Sequence, residues 1–374
     1  MSSVAIGSLA ILVLLLMLAV RVPIAFALSA VSGVGMLLIR GPSAALSVLA
    51  EQPYNFIAHW QMSAVPMFLL MGSVAYHAGL TSSLYRAARL WLSGLPGGLA
   101  VASTAACAMF AAASGSSVAT ASAMGKIAIP EMLRYRYDPG LATGSVAAAG
   151  TLGSLIPPSI LMVLYAIFAE VSVSRALLAG VIPGLLSAVM FILMITIRCK
   201  LNPSLAPKLD EPVYWRQRFD VLLEIWPLPV LIVAVIGSMY LGIFTDTEAA
   251  AGGAFMAFVI AATQGRLTWN VIKDSVAESL RGTATILFVA LGGFLLSRFM
   301  AVSALPNYVA HMVDGMNLSP MMIIIGASVI YIILGMFLDS IGIMLLTLPI
   351  MLPLLEAAKL DLIWFGVLVI KYLE

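Results

Sequence analysis

The sequence predicts an all-α polytopic membrane protein, and three observations carry that expectation. Of 374 residues, 62% are hydrophobic and only 10% charged, against roughly 25% charged in an ordinary soluble domain. The apolar residues fall in runs that are apolar on every side, such as 11–20 and 321–334; strands of an outer-membrane barrel would alternate apolar and polar positions over about ten residues. At about 20 residues per crossing, the chain has room for around ten to twelve crossings.

A formal net charge of +2, with no basic block interleaved with aromatics, gives no nucleic-acid signal. Cys107 and Cys199 lie in different segments, with no CxxC, so neither a disulfide framework nor a zinc site is indicated. The first basic residue, Arg21, follows the first apolar run rather than preceding it, which argues for a retained first helix and against a cleaved signal peptide.

Taken in order, helices are expected near 4–20, 23–39, 63–79, 97–113, 118–133, 138–155, 158–169, 176–198, 225–244, 246–265, 283–299, 319–335, 341–355 and 361–374. Three of these stretches are interrupted. Ser114-Gly115-Ser116-Ser117 breaks 97–133, Ile156-Pro157-Pro158 breaks 138–169, and residues 335–340 break 319–355.

Basic residues orient the helices, because Lys and Arg collect in cytoplasmic loops. The connector 199–220, with Arg198 just before it and Lys200, Lys208, Arg216 and Arg218 within it, is placed in the cytoplasm, and so is 265–282 with Arg266, Lys273 and Arg281. This threading puts the N-terminus in the periplasm. Arg86 and Arg89 precede 97–133 and Arg134 and Arg136 follow it, so both its ends read as cytoplasmic. Residues 97–133 are then a re-entrant hairpin with its tip at 114–117, a depth at which non-helical backbone is tolerated only against protein or a water-filled cavity. The alternative, two full crossings with the serine-rich turn outside, needs arms longer than about 17 residues, which these barely reach.

The chain also resembles itself. Pro130 and Pro349 lie 219 positions apart, Gly72 and Gly292 lie 220 apart, as do Gly115 and Gly335, and Asp138 and Asp361 lie 223 apart. Corresponding loops carry opposite charge character: 41–62 has no Lys or Arg where 261–282 has three, and 80–98 has Arg86 and Arg89 where 300–318 has none. That is the pattern of an inverted-topology repeat, whose sites fall on discontinuous helices near the midplane; chance likeness between apolar helices is the plainer alternative. The first copy is expected over 1–198, with scaffold helices 4–39, an interfacial arm 41–62 and a transport part 63–198 that holds hairpin 97–133 and broken helix 138–169. Linker 199–220 follows. The second copy, 221–374, has scaffold 225–265, arm 266–282 and transport part 283–374 with hairpin 319–355. The partner of 150–158 would fall beyond residue 374, so the expectation is of a C-terminally truncated second copy.

Small polar residues gather at the first tip and break: Ser114, Gly115, Ser116, Ser117, then Thr120, Gly150, Thr151, Gly153 and Ser154 before Pro157-Pro158. Proline frees a carbonyl one turn earlier and glycine lets backbone approach an ion; freed carbonyls and hydroxyls suit Na⁺, and half-helix N-termini suit an anion. Close helix packing is the other reading of such residues. In the second tip Asp339 stands alone among apolar residues, flanked by Gly335 and Ser340. An intramembrane acid is a functional candidate, with a hydrogen bond to a helix end or a headgroup position as the structural alternative. Lys126 is expected to snorkel, Arg298 to end a helix at the interface, and His59, His77 and His311 to be isolated. Residues 268–281 and 46–60 have amphipathic spacing suited to lying along the membrane surface. GxxxxGK[ST], HExxH and GxGxxG are all absent, and no enzyme is expected. A passive channel would need a continuous polar path, against which the paired hairpins argue.

Residues 110–159, together with Gly180-Val181-Ile182-Pro183-Gly184, 335–352 and 361–374, closely resemble the large membrane subunit (M, or DctM-like) of tripartite ATP-independent periplasmic (TRAP) transporters. The resemblance implies sodium-coupled uptake of an organic acid across the bacterial inner membrane. It implies two partners, a periplasmic substrate-binding protein and a small four-helix (DctQ-like) membrane subunit, and an elevator-type fold in which hairpins carry substrate past a static scaffold. By the same resemblance, Ser114–Ser117 with Gly150, Thr151 and Gly153 would form one Na⁺ site. Gly335, Asp339 and Ser340 would form part of its pseudo-symmetric partner. Substrate carboxylate would meet Ser116, Ser117, Pro157, Pro158 and Ser340. A stand-alone ion-coupled carrier of the same superfamily is the alternative.

Overall fold

The computed structural model describes residues 2–207, 214–316 and 318–374; Lys208 of the expected linker lies outside them. Every regular element among the described residues is helical. In chain order the α-helices are α1 (Ser3–Ala19), α2 (Ile24–Arg40), α3 (Pro42–Ile57), α4 (Ala64–His77), α5 (Leu80–Leu92), α6 (Gly98–Ser114), α7 (Ser117–Arg134), α8 (Pro139–Gly150), α9 (Leu152–Leu155) and α10 (Ile160–Phe168). They continue with α11 (Val173–Leu201), α12 (Trp215–Ile225), α13 (Pro227–Tyr240), α14 (Asp246–Thr263), α15 (Trp269–Ser303), α16 (Leu305–Gly315), α17 (Pro320–Gly335), α18 (Ser340–Ala357) and α19 (Leu362–Leu373).

Helix starts follow from capping chemistry, in which a short polar side chain accepts from the free N–H groups of the first turn. Asp138 caps α8, accepting from Leu141 N at 2.9 Å, with Pro139 at the first helical position. Asp361 caps α19 through Trp364 N at 2.7 Å. Ser116 caps α7 and Asp339 caps α18. Thr245 and Glu248 close a reciprocal capping box on α14. The caps at 116 and 339, like those at 138 and 361, are 223 positions apart. Between the tip glycines Gly115 and Gly335 the spacing is 220, and Met336, Phe337 and Leu338 stand between Gly335 and the cap Asp339. Met336 and Phe337 are strongly exposed there.

The helices α11, α15 and α18 are each long and apolar enough to cross a membrane; the bent pairs α4 with α5, α8–α9 with α10, and α12 with α13 raise the number to as many as six. Several expected crossings, α1, α2, α6, α17 and α19 among them, are shorter apolar helices. The outer faces of α1, α2 and α17 are lined by exposed Leu, Val, Ile and Met, the surface a bilayer would cover.

The chain packs as two compact units: one comprises Met1–Met62, Leu164–Ser172 and Thr283–Glu374, the other Ser63–Val163 and Val173–Gly282. In the first unit α1 lies on α2, and Leu14, Leu28, Phe299 and Leu346 anchor a core of fully or nearly fully buried apolar side chains. In the second, α4 packs on α14, and α6 lies against α4, α5, α7, α8 and α11. Gly72 makes the α4–α6 approach possible: a Cβ there would sit 2.7 Å from the Ser114 Cα.

Three expectations are corrected. Residues 266–282 do not form a separate arm, because α15 runs unbroken from Trp269 to Ser303. Arg298 therefore does not end a helix; it lies within α15 with its guanidinium 5.0 Å from the Phe294 ring centre. His77 is not isolated, since its Nε2 meets Glu278 Oε2 at 2.9 Å. Lys126 stands 5.9 Å from the Tyr76 ring centre. Helices α5, α12 and α16 were not anticipated. Each is amphipathic or partly charged rather than apolar throughout, so a search for apolar windows passes over it.

Candidate functional site

Hairpin α6–α7 belongs wholly to the second unit. Its tip is tight because Gly115 ends α6 in the left-handed conformation (φ +63°), donating to Ala111 O at 3.0 Å, a turn that glycine makes without a Cβ penalty. Ser116 then caps α7. Inside the tip, Ser114 Oγ and Thr120 Oγ1 are 2.6 Å apart, and Thr120 Oγ1 also donates to Ser116 O at 2.8 Å. Both side chains are buried, so the hydroxyls must satisfy one another.

The broken helix closes on this tip. Gly115 O accepts from Ile160 N at 3.1 Å, which ties the turn to the start of α10. A Cβ on Gly115 would stand 2.5 Å from Pro158 O, and one on Gly153 would stand 2.6 Å from Ser116 O and 2.9 Å from Thr120 Oγ1. Gly150 faces Ala121 of α7 just as closely. Ser114, Gly115, Ser116, Gly150, Gly153 and Pro158 are thus brought together, as the sequence reading expected. Thr151 turns its hydroxyl back to Ala148 O (2.7 Å), while its carbonyl accepts from Ser154 Oγ (2.6 Å). Ser117 opens α7 half-buried, and Pro157 is buried in the break.

Sequence reasoning missed Ser159. Fully buried, it bonds Ser154 O and accepts from Met162 N at 3.2 Å, capping the start of α10. The available signal was a serine directly before the apolar run 160–168.

The second tip lies in the first unit. Asp339 is exposed and accepts from Gly342 N at 3.3 Å, so the structural alternative raised for it, a bond to a helix end, is realised. Ser340 Oγ donates to Leu373 O at 2.9 Å, which ties the tip to the last turn of α19, and a Cβ on Gly335 would stand 3.4 Å from Tyr372 O of the same turn. Behind it, Thr347 donates to Tyr331 OH at 2.7 Å, and Tyr165 OH donates to Leu362 O at 2.5 Å.

Chemically, the first tip and break offer neutral oxygens: serine and threonine hydroxyls and the carbonyls of a turn and a broken helix. No cluster of three or more His, Cys, Asp or Glu suited to a metal occurs among the described residues. An oxygen-only, uncharged donor set matches a hard cation of low charge rather than a transition metal.

A bent, apolar helical chain with two polar hairpin tips is the build of a membrane permease. Residues 11–374 match the family described as tripartite ATP-independent periplasmic transporter, DctM component, and the chain belongs to that family. It is 34% identical to the C4-dicarboxylate TRAP transporter large permease protein DctM of Pseudomonas aeruginosa, over 92% of this chain and 80% of that one. It is 33% identical to the protein of the same description in Vibrio cholerae, over 96% and 83%. It is also 29% identical to the ectoine TRAP transporter large permease protein TeaC of Halomonas elongata, over 93% and 81%.

Proposed function

We propose that this chain is the large transmembrane subunit of a Na⁺-coupled TRAP transporter. It imports an organic acid handed over by a periplasmic binding protein, works with a small four-helix membrane subunit, and uses an elevator movement in the bacterial inner membrane. The observation that carries the reading is the contact between hairpin tip and broken helix. Gly115 and Gly153 let backbone carbonyls approach to distances a side chain would forbid, and the resulting oxygen cluster fits Na⁺. Ser114, Ser116, Thr151 and the neighbouring carbonyls would hold the ion; the first-turn N–H groups that the serine caps leave unsatisfied would attract a carboxylate. The recurrence of caps at a spacing of 223 supports an inverted repeat, with Gly335, Asp339 and Ser340 at the second ion site. Relatives named for C4-dicarboxylate and for ectoine leave the particular acid to the binding protein.

Reconstitution in liposomes tests this. Uptake is expected to need an inward Na⁺ gradient, the small subunit and the cognate binding protein together. Uptake by this subunit alone identifies a stand-alone carrier instead, and uptake indifferent to Na⁺ removes the ion sites.

A further inference from the structure

Where α4 gives way to α5, at a 65° bend, the second unit holds an open cavity of about 510 Å³. Its wall brings together Arg86, Arg266 and His77 with the hydroxyls of Ser82, Ser83 and Thr268, and among the described residues no carboxylate lines it. Gly79 makes the bend in the left-handed conformation (φ +76°), and a Cβ there would enter the space between Arg266 Nη1 and Ser82 Oγ, 3.8 Å from each. The missing side chain keeps that corner open.

The three basic groups are not equivalent. Arg86 is paired with Glu224, and His77 with Glu278, which also accepts from Ser73 at 2.6 Å. Arg266 instead donates from Nη1 to two backbone carbonyls, Ala78 O at 3.3 Å and Gly79 O at 3.4 Å. Among the described residues no carboxylate pairs with it. Neutral carbonyls fix the guanidinium in place without cancelling its charge, and the rest of its planar donor fork stays available. A held, uncompensated guanidinium beside three hydroxyls is a recognition element for a tetrahedral oxyanion.

We propose that this elbow cavity binds a phosphate group, with Arg266 as its principal ligand and Ser83 and Thr268 completing the donor set, while Ser82, which donates to Gly79 O at 2.8 Å, shapes the wall. On the membrane placement proposed above, the elbow faces the cytoplasm, where anionic phospholipid headgroups present that chemistry and basic pockets between helices take them up. Exposed Trp269, next to the lining residue Thr268, is the kind of side chain that settles at headgroup level.

The test uses the full chain in nanodiscs of phosphatidylcholine, alone or with phosphatidylglycerol, and adds inorganic phosphate to the phosphatidylcholine discs as a separate arm. Thermal midpoint and retained phospholipid are read for the unaltered chain, for Arg266→Gln and Arg266→Lys, and for Arg216→Gln as a control at a fully exposed arginine. A rise in midpoint with phosphatidylglycerol is expected for the unaltered chain and the control. The rise, read for each chain against its own midpoint in phosphatidylcholine, is expected to vanish in Arg266→Gln and to survive in part in Arg266→Lys. A rise with inorganic phosphate alone assigns the site to a soluble phosphate. The proposal is overturned if the unaltered chain responds to neither probe, or if Arg266→Gln responds as the control does. Because no readout depends on transport, this outcome is independent of the uptake experiment.

Discussion

At the scale of single residues, the two tips differ in what their caps can do. Ser116 is half-buried within an oxygen cluster, whereas Asp339 is an exposed carboxylate that caps α18. Two substitutions at 339 separate charge from capping. Asn caps about as well as Asp, while Ala forfeits about 0.5–2 kcal/mol. Asp339→Asn is expected to leave the thermal midpoint unchanged and to weaken Na⁺ activation of uptake. Asp339→Ala is expected to lower both. An Asn variant with an unaltered Na⁺ curve removes Asp339 from the ion site and leaves it a cap. Gly153→Ala is a sharper perturbation, because the added Cβ meets backbone, not a yielding side chain. Overpacking of this kind costs about 1–3 kcal/mol, and the expected result is a lowered midpoint with uptake lost. Gly144→Ala, where a Cβ meets nothing within 4 Å, is the control and is expected to be neutral or slightly stabilising.

At the scale of elements, α5 is the piece that apolar windows could not reveal. Its buried face, including Leu80, Leu84, Tyr85 and Ala88, lies in the second unit, with Ser82 and Arg86 exposed. On one side Arg89 pairs with Glu131 of α7 and donates to Tyr135 OH at 3.0 Å. On the other, α12 is strapped to it: Arg218 donates to Leu90 O at 3.1 Å and lies 4.8 Å from the Trp215 ring centre, and Trp91 Nε1 donates to Arg218 O at 3.3 Å. The α6–α7 hairpin and α12 therefore share one support. Arg89 and Glu131 are both about three-quarters buried, so removing either takes a close opposite charge from the other. Arg89→Met alone and Glu131→Met alone are each expected to cost about 1–3 kcal/mol. The double variant is expected to cost less than their sum, as a double-mutant cycle on the midpoint or on denaturant unfolding would show.

At the scale of the whole molecule, both compact units are discontinuous in sequence. Each compact unit takes segments from both halves of the chain, and α10 and α15 each contribute residues to both units. Gly282 and Thr283, where the division falls, are interior to α15, although the sequence reading expected an arm to end there. A helix that is continuous through 282–283 predicts that Gly282→Pro is severely destabilising, by about 3 kcal/mol or more; a mere boundary between arm and crossing would tolerate it. Thermal unfolding of the variant in detergent decides between them. Composition, hydropathy and punctuation were enough to determine the helical membrane class, nearly all the apolar helices, both tips and the break, because each depends on local hydrophobicity or on a residue's own backbone preference. The tertiary structure alone decided that Gly115 and Gly153 bring tip and break into contact, that α5 joins the hairpin to α12, that Asp339 caps a helix, and that no carboxylate among the described residues pairs with Arg266. These depend on which residues distant in sequence approach one another, which local pattern does not encode.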